Sequence, residues 1–267
     1  MTEVNITEWL QHNATFVVLS TFLVLAVLES LNPASKFDHF TRTRWANNIL
    51  FYIIIFALNK FTGPITALLT AYAAEQLNIG LFNHYSFPIL FAIAIGVLTI
   101  DLMHYATHRM YHHYDSLWKM HKVHHCDFDL DITNAWRFHP FEIILNSIFF
   151  IAVISLLGLP PIVLLINYLF VAFMNYIEHS RITLPKFLEN KTRWILITPT
   201  LHRIHHTVPR EDHDNNYGTI FSIWDRLLGT LRIEPSPGNS IENLGLKEYR
   251  NIKAISVWRS LWMPFAK

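Results

Sequence analysis

Four stretches of this chain are apolar for long enough to cross a bilayer, which takes about 20 mostly apolar residues in a helix. They are Ala14–Leu31, Phe87–Met103, and the pair Ile143–Leu157 and Ile162–Ile177, which is joined by the charge-poor turn "LGLPP". A fifth, Ile49–Ala74, is interrupted: Asn59 and Lys60 stand inside it, and Gly63-Pro64 breaks the helical pattern. A lysine at mid-membrane costs about 3 kcal/mol, so this stretch reads as one kinked span or as a span plus an interfacial helix. The predicted fold is all-α, with four to five transmembrane helical segments and a cytoplasmic helical cap.

The charges between these stretches predict an orientation. Lys36, Arg42 and Arg44 follow the first span, whereas Glu75 to Ser86 has no Lys or Arg. Arg109, Lys119, Lys122 and Arg137 lie between the third and fourth spans, and Lys186, Lys191 and Arg193 follow the last. Cytoplasmic loops carry the excess of Lys and Arg, so the N-terminus is expected outside, with the second segment crossing once. The start, "MTEVNITEWLQHNA", lacks the basic residues of a cleaved signal peptide, so the first span is expected to be retained. Residues 1–97 then form N-terminal spans. Residues 98–231 form a second region that includes two further spans, and 232–267 a C-terminal cytoplasmic tail.

Composition agrees with a membrane protein: of 267 residues, 52% are hydrophobic and only 15% charged. A net charge of +1 offers no electrostatic footprint for nucleic acid. The single cysteine, Cys126, excludes an intrachain disulfide framework and a Cys-rich metal site. Histidine is the outlier: of 16, 13 fall between His104 and His213, and drift in composition would scatter them.

The histidines fall into words. "DLMHYATHRMYHH" places His104 and His108 four apart on one helix face, with Asp101 before them and His112 after. "KMHKVHHCD" and "TLHRIHHTVPR" repeat one spacing, H-x-x-H-H, at His121, His124, His125 and at His202, His205, His206. "MNYIEHS" sets Asn175 and His179 four apart at a span end, and His139 stands alone in "RFHPFE". Imidazole suits iron, zinc, copper and nickel, at about four to six ligands per ion. Nine histidines in four words are too many for one metal and about right for two. A polar cap or a pH sensor explains a few such histidines well and nine at helical spacing poorly.

In this order, with "DLMHYATHRMYH", "LWKMHKVHH", "RFHPFE", "HRIHH", "DNNYG" and "WDRLLGT" about them, the words resemble the fatty acid hydroxylase/sterol desaturase superfamily, over about Leu98 to Leu231. The resemblance implies a membrane-bound non-haem di-iron oxygenase. It would hold two iron ions, with zinc as a possible substitute, in a histidine site at the cytosolic face of a bacterial inner membrane or the endoplasmic reticulum. It would use O2 to hydroxylate or desaturate a lipid. Carried over position by position, the metal-ligand candidates are His104, His108, His121, His124, His125, His179, His202, His205 and His206. His139, His112, Asn175, Asp101 and Asp214 are candidates for a ligand or for a group that orients one. Asn175 stands where some family members carry a further histidine. His113 and His213 read as solvated.

Such chemistry needs electrons from outside. The chain has no "HPGG" haem word, no GxGxxG and no Cys-based iron–sulfur spacing, so a separate donor of the cytochrome b5 or ferredoxin-reductase type is expected. Two other classes remain open at this point. A zinc-dependent membrane lipid hydrolase would want a carboxylate base, and none occupies a ligand position, although Glu142 and Glu178 are close in sequence. A non-enzymatic metal- or lipid-binding membrane protein would want ionisable groups inside the spans, and only Lys60 qualifies.

Overall fold

The computed structural model describes residues 3–31 and 40–266, without the side chains of residues 3–12, 60, 61, 64 and 65. Lys36 and the side chain of Lys60, both used above, lie outside the described residues. The chain is all-helical. In order, it forms α1 (Glu3–Leu31), α2 (Thr41–Thr62), α3 (Pro64–Gln76), α4 (Leu81–His84), α5 (Ile89–His113) and α6 (Asp115–His125). There follow α7 (Pro140–Leu157), α8 (Pro161–His179), α9 (Lys186–Thr192), α10 (Pro199–His205), α11 (Arg210–His213), α12 (Ile223–Leu227) and α13 (Val257–Trp262). A 3-10 turn, Ile132–Trp136, links α6 to α7.

Among the described residues, four helices are long and apolar enough to cross a membrane: Asn13–Leu31, Ile89–His113, Pro140–Leu157 and Pro161–His179. The interrupted stretch resolves into two helices. Gly63 ends α2 and Pro64 opens α3 at its first position, where the missing N–H costs nothing. Proline starts α7, α8 and α10 in the same way. Gly158 closes α7 at φ +64°, a left-handed geometry in which a Cβ is unfavourable.

The helix α8 is the hub: half of its span window is buried, against 11% for α7. It packs against α1, α3, α5 and α10. Gly96 lets α5 come close to it, because a Cβ there would collide with the side chain of Val163. α5 and α8 thus end side by side, each delivering histidines at its C-terminal end.

A buried ionic network ties the cap to these ends. Arg44 is fully buried and reaches Asp127 at 2.6 Å, Asp131 at 2.9 Å and Asp129 at 3.1 Å. Glu29, buried near the end of α1, accepts from the backbone N–H of Arg181 at 2.6 Å and of Ile132 at 3.2 Å. Arg137, also fully buried, donates to Asn48 Oδ1 (2.7 Å), the carbonyl of Ile255 (2.7 Å) and Ser260 Oγ (2.9 Å). Two cations counted above as loop charge, Arg44 and Arg137, are therefore internal struts. The C-terminal residues pack onto the cap as well: Ile255, Val257 and Met263 share an apolar cluster with Phe51, Val123 and Cys126.

Candidate metal centre

Helical spacing divides the histidines between two clusters. His108 and His112 on α5, His121 and His125 on α6, and His205 on α10 bring one nitrogen each to within 4.8 Å of one another. His124, His179, His202 and His206 form a second group by the same measure. The repeated H-x-x-H-H now has a cause. In the first copy the i, i+4 pair, His121 and His125, faces the first group and His124 the second. In the second copy the i, i+4 pair, His202 and His206, faces the second group and His205 the first. Positions i+3 and i+4 lie on adjoining sides of one helix face, so each helix straddles both groups.

The outward ring nitrogens are tied down. Nδ1 donates to a backbone carbonyl in His108 (Tyr217, 2.9 Å), His124 (Arg137, 3.3 Å), His179 (Asn175, 2.7 Å) and His205 (Asn215, 2.6 Å). It meets a carboxylate oxygen in His121 (Glu142 Oε1, 2.9 Å) and His112 (Asp214 Oδ1, 3.2 Å). A carbonyl only accepts, so in these rings the proton is on Nδ1 and the lone pair on Nε2 points inward. Ring packing holds that aim: Phe138 stacks on His124 at 4.6 Å and Tyr111 on His121 at 5.5 Å.

Inside, the Nε2 atoms crowd together: His108–His121 at 3.1 Å, His124–His179 at 3.2 Å, and His202 at 3.0 Å from both His179 and His206. In the first two pairs neither nitrogen has a proton to give, so lone pair faces lone pair. Nε2 of His112, His125 and His205, all in the first group, has no partner at all. Burial pushes His124, His125, His202, His205 and His206 well below the ordinary histidine range, and the neighbouring imidazoles push the same way. The rings are neutral near pH 7, and neutral imidazole is the form that binds a metal. A cation in each group would satisfy these atoms, which hydrogen bonds among the rings themselves do not.

The other candidates are placed as follows. His104 sits one turn from His108, half-buried and outside both groups. His139 caps α7: Nδ1 accepts from the N–H of Phe141 and Nε2 meets the carbonyl of Leu261, both at 3.2 Å. Asn175 donates its side-chain N–H to the carbonyl of Ala135 at 2.6 Å. Asp101 accepts from the backbone N–H groups of Ile220 and Phe221 and from Trp224 Nε1, which fastens the "GTIFSIW" turn to α5 rather than orienting His104. His113 is exposed, but His213 is buried and stacks on Trp118 at 5.3 Å.

Two carboxylates that the sequence marked only as neighbours of the histidine words prove to belong to the site. Glu142 and Glu178 are both buried, and each has an oxygen, Oε2, without a hydrogen-bond partner. Glu142 holds His121 of the first group. Glu178 lies 3.8 Å from His179 Nδ1 and 3.9 Å from His202 Nδ1 of the second. Both line a cavity of about 180 Å³ that opens onto His108, His121, His124, His179 and His202. Adjacency to His139-Pro140 and to His179 was the only sequence signal for them.

A family model described as Fatty acid hydroxylase matches residues 93–230, just over half of the chain. The chain belongs to the fatty acid hydroxylase family. Among curated relatives, the ornithine lipid hydroxylase OlsE of Rhizobium tropici is 29% identical over 234 residues, covering 84% of this chain and 68% of that one. Alkylglycerol monooxygenase of Homo sapiens is 28% identical over 175 residues, 62% of this chain and 37% of its own length. The very-long-chain aldehyde decarbonylase GL1-6 of rice (Oryza sativa subsp. japonica) is 25% identical over 211 residues, 75% of this chain and 30% of its own. No solved structure matches. The histidine words and both clusters fall inside the span that this fatty acid hydroxylase family model covers.

Proposed function

We propose that this member of the fatty acid hydroxylase family is a multi-pass membrane di-iron oxygenase that hydroxylates a lipid, drawing on O2 and on electrons from a separate donor protein. The observation that carries the reading is the set of nine clustered histidines, all but His108 buried, in which the pairs His108–His121 and His124–His179 face each other lone pair to lone pair. His108, His112, His121, His125 and His205 would hold one iron, and His124, His179, His202 and His206 the other. Bound iron would activate O2 for attack on an unactivated C–H bond, chemistry that no acid–base pair of side chains supplies.

The chain's own residues do the rest. Backbone carbonyls and two carboxylates fix which nitrogen of each ring faces inward, as outer partners do in metal sites. The spans keep bulk water from the cavity, and Thr107, Tyr111, Asn146, Glu142 and Glu178 on its wall can hold the polar end of a lipid and carry a proton. Two relatives are named as hydroxylase and monooxygenase, which supports hydroxylation. A histidine face on the cytoplasmic side would suit access by an electron donor, and Lys119, Lys122, Lys186, Lys191 and Arg193 follow the span ends there.

Five donors in one group exceed the four of a structural zinc site and the three protein ligands of a catalytic one.

The test is metal content on protein purified without air, followed by incubation with lipid, O2 and an added reductase system. About two irons per chain and an O2-dependent hydroxylated product are expected. Absence of stoichiometric metal, or turnover independent of O2, refutes the reading.

A further inference from the structure

A second cavity, of about 380 Å³, lies deeper among the spans. His104, Trp136 and Val171 line both it and the smaller cavity beside the histidines, so the two meet at these three side chains. The deep cavity is walled by groups such as Ala67, Leu68, Phe150, Leu164 and Leu165, as a hydrocarbon chain requires. Thr15, Asn59, Tyr168 and Asn167 also reach its wall, and among these polar groups Asn167 is the one buried with an unmet atom. It lines the cavity, its residue is 3% exposed, and its Oδ1 has no hydrogen-bond partner.

An unmet amide oxygen inside a span is costly, because the bilayer core has no water to relieve it. In membrane bundles a side chain of this kind normally bonds across to a neighbouring helix, and no such partner is found among the described residues. Asn167 also has a fixed place relative to the histidines. Asn167, Val171, Asn175 and His179 follow at intervals of four along α8, in a stripe that winds slowly about the helix and lines the two cavities in turn. Twelve positions at 1.5 Å each put Asn167 about 18 Å along the helix from His179.

We propose that the deep cavity takes one chain of a lipid, that this chain carries a hydroxyl partway along it, and that the hydroxyl bonds to the amide of Asn167. The polar end of the lipid and the carbon to be oxidised are then held beside the histidines, with the remainder of the chain among the spans. A hydroxyl both donates and accepts, so it matches the amide in either orientation. A plain chain leaves the amide oxygen unmet, and a site built around a hydrogen bond rejects the analogue that lacks it. The proposal rests on the oxygenase reading for the reaction, but the binding it describes needs no metal.

The experiment is equilibrium displacement of radiolabelled stearic acid from the purified protein in nanodiscs. The competitors are unlabelled stearic acid and a series of monohydroxystearic acids with the hydroxyl at successive positions. One isomer, or two neighbouring ones, should compete roughly tenfold better than stearic acid. Asn167→Leu should abolish that preference and bind stearic acid at least as well. If no isomer outcompetes stearic acid, or if the preference survives in Asn167→Leu, the proposal is overturned. The isomer series on the unaltered protein decides the matter even where the variant does not fold. Metal content measured on the same preparations keeps the two readings separate: a preference without metal spares this proposal and sinks the oxygenase, and metal without a preference does the reverse.

Discussion

Nε2 of His108 and Nε2 of His121 stand 3.1 Å apart while the Nδ1 of each is engaged on its far side, by the carbonyl of Tyr217 and by Glu142. Two neutral rings aimed at each other in this way repel unless a cation lies between them. On the proposed reading each of the two histidine groups is one metal position, and each should be separable from the other by mutation.

His112→Ala and His179→Ala test that separation. His112 belongs to the first group and His179 to the second. Each variant should bring metal per chain from about two towards one while membrane insertion persists. His104→Ala should keep both metals, because His104 lies outside both groups. Mass spectrometry of anaerobically purified protein reads all three. Metal loss in His104→Ala with retention in His112→Ala would reverse the assignment.

The outer partners should matter almost as much as the ligands. Glu142 meets Nδ1 of His121 at 2.9 Å and Asp214 meets Nδ1 of His112 at 3.2 Å. Loss of an outer partner typically weakens a metal site by about 10- to 100-fold. Glu142→Ala should do so for the first metal. Asp214 is part-exposed and shared with Arg210, so Asp214→Ala should have a smaller effect. Competition with a chelator measures both, and an unaltered affinity in Glu142→Ala would refute its role.

What the sequence disclosed, and what it hid, has a physical basis. The spans were legible because length and apolarity suffice for a helix in hydrocarbon, and the break at Gly63-Pro64 follows from local chemistry. The H-x-x-H-H words were legible because i, i+3 and i+4 must share a helix face. The choice between His104 and His112 was not: both stand four residues from His108, and only the packing of α5 against α6 and the anchor at Asp214 bring His112 inward. Arg44 and Arg137 were misread as loop charge because their partners, Asp127 to Asn134 and the residues near Ile255, lie far along the chain in stretches with no periodicity.

The buried network makes a stability prediction. Arg44 touches Asp127, Asp129 and Asp131, and its side chain is wholly buried. Removing one partner of a buried ion pair typically costs about 3–5 kcal/mol, because the other charge is stranded. Arg44→Ala should therefore lower the thermal midpoint of the detergent-solubilised protein sharply. Arg42→Ala, on an exposed side chain one turn edge away, should leave it nearly unchanged. Equal midpoints for the two variants would show that the network carries no such energy.

The metal-free protein should lose stability in mild acid. His124, His125, His202, His205 and His206 lie well below their ordinary value of 6.5 when folded. The unfolded chain then takes up protons first as pH falls, so it binds more protons than the folded chain and gains on it. These groups add nothing to the pH dependence above about 6.5 and destabilise the fold progressively below it. Asp225 has the opposite sign: burial raises its carboxyl from 3.8 to about 6, which favours the fold as pH falls through the same window. Asp129 is raised with it, but His139 and His213 are lowered with the five, so outside the spans the lowered histidines outnumber the raised carboxyls. The midpoint of chelator-treated protein should therefore drop between pH 7 and pH 5. Iron-loaded protein should resist the drop until protons displace the metal. A midpoint in the metal-free protein that holds or rises over that interval would mean that the imidazoles are not the buried, neutral set described above.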